Sequence, residues 1–276
     1  MADHAEHHFE THQPVELYVE SGKGDVEITA AETTETTVEI SGTDADDVVV
    51  DLAGSRLTVI APKHRNLLGG DRSLDISVRL PLRSDVETKL GSADLRVDGL
   101  VGNLRARSGS GEVTLQHVGG ACLVETGSGD TEIERVDGSL RVKSGSGDVE
   151  VGHAGAEVTV STGSGDVALG ETGGPTAVKT GSGDLKVGTA RTDVGLSTGS
   201  GDLEIGSVSA GRVQVKGASG DVRVGVPAGV PVWTDVSTVS GRIHSTLEGA
   251  GKPEPGADYV ELRVKTVSGD VDLAQV

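Results

Sequence analysis

A Gly-Ser-Gly corner closed by an acidic residue returns every 18 residues from Gly91 to Asp221, and no other feature restricts the fold of this chain as much. The acid falls at Asp94, Glu112, Asp130, Asp148, Asp166, Asp184 and Asp202, and at Asp221 after one extra residue. A unit this short cannot bury an apolar face alone, so each copy must complete its core against the copies on either side.

Aligned on the corner, each unit contains two short strands whose apolar residues alternate. The strand after the corner supplies one column from Leu95 through Val113 and Thr131 to Val222, and a second from Val97 through Leu115 and Ile133 to Val224. The strand before the next corner supplies Leu104, Cys122 and Leu140 above Ala106, Val124 and Val142, and a smaller column runs through Leu100, Val118 and Val136 to Val208. A flat hairpin meander would pair unlike strands and need a separate cover. A coil folds its two strands face to face, closes its own core, and stacks equivalent residues about 4.8 Å apart. The expected fold is therefore all-β: a parallel β-solenoid with about 18 residues per coil.

Four regions follow. Residues 1–8, with His4, His7 and His8, read as a mobile tail, and His12 follows without completing a metal-ligand spacing. Residues 9–90 read as a divergent N-terminal β cap with strands at Val15–Val19, Asp25–Thr29, Thr37–Ser41, Val48–Leu52, Leu57–Ile60 and Leu74–Leu80. Within it Ala53-Gly54-Ser55 is a hairpin turn, Lys63 to Arg72 a loop, and Ser21 to Val26 an early form of the corner. Residues 91–225 are the regular solenoid, and residues 226–276 are divergent coils and a cap. In that last region Ser240-Gly241-Arg242 and Ser268-Gly269-Asp270 mark later corners, Lys252 to Asp258 is a loop, and Trp233 is expected to close the end of the core.

Composition agrees with a thin interior, since the only aromatic side chains are Phe9, Tyr18, Trp233 and Tyr259, against 42 glycines. A formal charge of −19 excludes a nucleic-acid binder and disfavours an anionic membrane surface. No apolar run is long enough for membrane insertion, and Met1 to Glu20 lacks the basic end and apolar segment of a signal peptide, so a cytoplasmic location is expected. Cys122 has no partner for a disulfide and sits in a Leu/Val column, where it acts as a small apolar residue.

The acidic column is the sharpest chemical feature. Carboxylates this close repel by roughly 1 kcal/mol per neighbour in water, so something must offset them. The simplest offset is local: each acid accepts N–H bonds from its own glycine-rich turn, an Asx-type cap. The alternative is a row of calcium sites at Asp130, Asp148, Asp166, Asp184 and Asp202. Hydroxyl pairs such as Ser144/Ser146, Thr162/Ser164 and Thr180/Ser182 are explained by turn chemistry. Arg107, Glu125, Lys143, Ser161, Lys179 and Ser197 form an outward column with alternating neighbours. An enzyme finds little support, because the glycines precede no phosphate-binding helix, His64, His117, His153 and His244 are scattered, and the acids line no cleft.

The Ser/Thr-Gly-Ser-Gly-Asp-Val/Leu-x-Val units, Val226-Pro227-Ala228-Gly229, the stretch from Trp233 to Ile243 and that from Leu262 to Val271 together resemble the bacterial putative-adhesin family of β-strand-repeat proteins. The resemblance runs from about Phe9 to Leu273 and implies a β-solenoid-like fold, no catalytic residues to carry over, and a link to cell-envelope stress. The reading at this level is a non-enzymatic, rod-like scaffold or interaction module that contacts a protein partner or its own copies. Its rivals are a calcium-responsive binding protein and a carbohydrate-active β-helix enzyme.

Overall fold

The structure, a computed structural model, describes residues 3–62, 73–248 and 259–276. The expected loops at Lys63–Arg72 and Lys252–Asp258 lie outside these residues. The described residues are mostly strand, with one short 3-10 turn at Ala45–Asp47 and no α-helix among them. None of their helices is long and apolar enough to cross a membrane. The fold is a parallel β-solenoid of about 18 residues per coil with a divergent β cap on its N-terminal side. It divides into two compact units, Met1–Gly138 and Ser139–Val276.

In each unit the strands that follow the acidic corner form a front sheet, and those that precede it form a back sheet. In the second unit the front sheet contains Val149–Ala154, Val167–Thr172, Leu185–Ala190, Leu203–Val208 and Val222–Val226. The back sheet contains Leu140–Ser146, Val158–Ser164, Thr176–Ser182, Val194–Ser200 and Gly211–Ser219. Neighbours are parallel and in register, Val158 beside Thr176 and Val167 beside Leu185. Equivalent inward residues therefore stack, and Val160, Val178, Leu196 and Val215 are all buried.

The corner glycines make this stacking possible. Gly165, Gly183 and Gly201 have φ of 133°, 140° and 133°, and a Cβ on any of them would collide with the carbonyl oxygen of the glycine one coil earlier. Only glycine satisfies both the dihedral and the close approach.

The first unit begins with the cap. Residues expected as a mobile tail instead form the strand Asp3–Glu10, paired antiparallel with Glu35–Gly42. His4 Nδ1 meets Ser41 Oγ, and the His7 and Phe9 rings stack. Local composition gives no sign of this, because the pairing partner is remote in sequence, from Asp3 beside Gly42 to Glu10 beside Glu35. Glu35–Gly42 pairs antiparallel with Leu74–Pro81, and Val49–Ala53 forms the expected hairpin with Arg56–Ile60. One column is corrected as well: a bulge at Gly99, with φ 82°, puts Val101 rather than Leu100 beside Val118. Val101 is fully buried and Leu100 is not.

Near both ends of the chain the stacking order departs from the sequence order. In the first unit Glu16–Ser21 lies between Asp85–Leu90 and Arg56–Ile60. In the second unit Val260–Ser268 lies between Gly211–Ser219 and Val232–Ser240, and Val271–Gln275 lies between Val222–Val226 and Ile243–Ser245. The corners at Ser240 and Ser268 therefore stack in the reverse of their sequence order. The last coil of the chain is paired on both sides, and the coil at 232–245 is left outermost.

Candidate interaction surface

The acidic residues do form a row, but their partners differ from those expected. Asp94, Asp148, Asp166, Asp184, Asp202, Asp221 and Asp270 each accept a hydrogen bond from the backbone N–H of the equivalent corner residue on the adjoining coil. Asp148 Oδ1 receives Asp166 N–H at 2.8 Å, Asp166 receives Asp184 at 2.7 Å, and Asp184 receives Asp202 at 2.7 Å. Asp202 receives Asp221, and Asp221 receives Asp270, each at 2.8 Å. Asp270 ends the row: its Oδ1 accepts the N–H of Arg242 at 2.8 Å, and its Oδ2 accepts the Arg242 guanidinium at 3.0 Å. In the first unit Asp94 Oδ1 accepts Glu112 N–H in the same way. The opposite corner repeats the device, with Asp85 accepting Asn103 N–H and Asn103 accepting Ala121 N–H.

The row thus stitches coils together. The inter-coil bonds offset the repulsion between neighbours, because an N–H aimed at a carboxylate favours the charged form. At Asp270 the Arg242 N–H, and then the Arg242 side chain, hold the carboxyl below its ordinary value. Arg242 was also the signal that could have revealed the coil order: a row of acceptors needs no acid at its last position.

Among the calcium candidates, Asp148, Asp166, Asp184 and Asp202 each commit one oxygen to this ladder. Asp130 belongs to the first unit and lies at the foot of the strand Thr131–Val136, where its backbone carbonyl accepts Val113 N–H. Among the described residues no three His, Cys, Asp or Glu side chains converge on a point that could hold a metal ion.

The hydroxyls behave as turn elements. Thr162, Thr180 and Thr198 are buried and donate to the carbonyls of Ser164, Ser182 and Ser200, while Ser108 and Thr126 accept from Gly111 and Gly129. Cys122 is buried, and burial pushes its thiol up to about 12, so it carries no nucleophile.

The back sheet of the second unit has a different outer face. Its middle column reads Lys143, Ser161, Lys179, Ser197, Lys216, Lys265 and Ser237 in register across the coils. Lys179, Lys216 and Lys265 are exposed and have no carboxylate within ion-pair reach among the described residues. Beside them Arg212 and Arg263 share Glu261, whose carboxyl they hold below its usual range, Arg212 contributing most. Arg263 also lies over the Trp233 ring, 5.6 Å from its centroid. Trp233 does not close the core: it is 51% exposed, pointing outward from the outermost strand Val232–Ser240. Val239 and Val267, 83% and 56% exposed, stand farther along the two outermost strands of this face. In the sequence these cations were hidden by dilution, since they sit singly, a coil or two apart, in a chain of charge −19.

The outermost coil also borders a groove of about 590 Å³ lined by Asp221, Arg223, Arg242, Ile243, His244, Asp270 and Asp272 among others. Its charged groups alternate in sign, and Arg242 is already paired with Asp270.

The family model described as Toastrack DUF4097 matches residues 15–187 and again 170–244. Among solved structures, a putative lipid binding protein from Parabacteroides distasonis is similar over 99% of this chain and 97% of its own, with a TM-score of 0.50 and 12% identity. A putative adhesin from Bacteroides fragilis covers the same shares with a TM-score of 0.40 and 12% identity. A putative cell adhesion protein from Clostridium sporogenes covers 100% of both chains with a TM-score of 0.26 and 12% identity. No curated protein matches the chain. The expected cytoplasmic location is corrected: similar solved structures are described as a putative adhesin and a putative cell adhesion protein.

Proposed function

We propose, for a chain that belongs to the Toastrack DUF4097 family, a non-enzymatic role: an interaction module that binds a macromolecular partner through straight rows of surface charge. What supports this is the ladder itself. The carboxylates from Asp148 to Asp270 are held by inter-coil N–H bonds in a fixed line. A line repeating every coil suits a long or repetitive partner and offers no point of convergence for chemistry. Binding also accords with the descriptions of similar structures as adhesins or a lipid binding protein.

The test is capture with the immobilised full chain from an extract of the native cells. Wild type is compared with Lys179→Ser/Lys216→Ser/Lys265→Ser and with Asp166→Asn/Asp184→Asn/Asp202→Asn. A partner lost with one of these variants supports the role. Capture unaffected by both, or no capture at all, refutes it.

A further inference from the structure

Resting on that reading, and naming the partner, we infer that the lysine row on the back sheet of the second unit docks on the aspartate row of a second copy of this chain. Three observations lead there. First, Lys216 and Lys265 are direct neighbours on parallel strands, and neither has a carboxylate partner among the described residues. Like charges side by side are destabilising, so an opposing surface would relieve a cost that the isolated chain bears.

Second, the two rows share one lattice. Lys179, Ser197 and Lys216 follow one another in register, which sets the two lysines about 9.6 Å apart, twice the strand spacing of about 4.8 Å. The aspartates repeat at every coil, and Lys265 lies one further spacing beyond Lys216, so each lysine of a row laid along them meets a carboxylate. Third, those carboxylates are pre-oriented: Oδ1 of Asp166, Asp184 and Asp202 is fixed by the next coil's N–H, leaving Oδ2 for a cation. Ordering them on contact therefore costs little.

A lysine row does not complement itself, so the contact is heterologous, strip to ladder, and each copy retains one unused half for the next. Trp233, Val239 and Val267 lie at one end of the strip and add exposed apolar area to the same contact.

The complementary halves give a direct test by light scattering coupled to size exclusion, at about 0.1 M salt, where charges beyond about 10 Å are screened. The strip variant is Lys179→Ser/Lys216→Ser/Lys265→Ser, with serine already native at Ser161, Ser197 and Ser237 of the same column. The ladder variant is Asp166→Asn/Asp184→Asn/Asp202→Asn, which keeps an acceptor for each N–H. Wild type is expected to gain mass with concentration. Each variant alone stays monomeric, and an equimolar mixture doubles in mass, because one supplies an intact ladder and the other an intact strip. Wild type that stays monomeric, or a mixture that does, overturns the inference, as does association that survives in both variants. Lysine-dependent sedimentation of a monomeric wild type with vesicles containing anionic lipid would assign the strip to a membrane surface instead, and also overturns it. A monomeric wild type whose capture of another partner still depends on either row would leave the broader role intact.

Discussion

Replacing Asp184 separates the two opposed contributions of the ladder. Its Oδ1 accepts the Asp202 N–H at 2.7 Å, and its own N–H donates to Asp166. Asp184→Ala removes the acceptor and the charge together. Asp184→Asn removes the charge and keeps the acceptor, as Asn103 already does for Ala121 N–H at 3.0 Å. Removing the charge relieves repulsion from two neighbours, roughly 1 kcal/mol each in water, reduced by screening at a Debye length of about 8 Å in physiological salt. That relief is common to both variants and cancels in their difference, which isolates the hydrogen bond at about 0.5–1.5 kcal/mol. Urea unfolding of the full chain should therefore place Asn above Ala by that margin, with Asn close to wild type. Raising the salt should stabilise wild type more than either variant. Equal stability of Asn and Ala, or Ala above Asn, would refute the idea that the row stitches coils.

Four further outcomes follow from individual residues. Thr131 is buried in an aliphatic column and its hydroxyl meets no hydrogen-bond partner; Thr131→Val should raise unfolding free energy by about 1 kcal/mol in the same urea assay. Asp270 is held below its ordinary value by Arg242 N–H and side-chain bonds. A depressed folded-state carboxyl contributes stability above its unfolded value, near 3.8, that is lost as pH falls through the lower folded value. NMR titration should therefore find Asp270 titrating below ordinary aspartates, and Arg242→Leu should raise it. Cys122, with its thiol pushed up to about 12, should resist a thiol reagent until the chain unfolds; rapid modification of the folded protein would contradict its burial. Hydrogen exchange should find the final strand Val271–Gln275, paired on both sides, better protected than the outermost Ile243–Ser245.

What the sequence reveals is periodic. Residues such as Val158, Thr176 and Val194 recur at one spacing, so coil length and most inward columns can be read from it, while alternation alone marks the cap strands from Val15–Val19 to Leu74–Leu80. Order in space is harder, because a corner motif states that a coil exists and not which coil it lies against. The insertion of Val260–Ser268 inside Val232–Ser240 depends on pairing partners remote in sequence, as does the capture of Asp3–Glu10 by Glu35–Gly42. The direction of the aspartate bonds was likewise hidden. An Asx turn and an inter-coil bond use the same residue in the same corner, and only the stacked neighbour decides between them. Trp233 is exposed for a related reason: it stands at an outward position of its strand, beside Glu261, and register rather than residue type sets its exposure.

Spin-label distances within the second unit report in-register stacking with the last two coils reversed. The column runs Ser146, Ser164, Ser182, Ser200, Ser219, Ser268 and then Ser240. Labels at 146 and 219, 146 and 268, and 146 and 240 should lie about 19, 24 and 29 Å apart, rising by about 4.8 Å per coil. A label at 240 found nearer to 146 than one at 268, or distances that do not climb by one strand spacing per coil, would contradict the account.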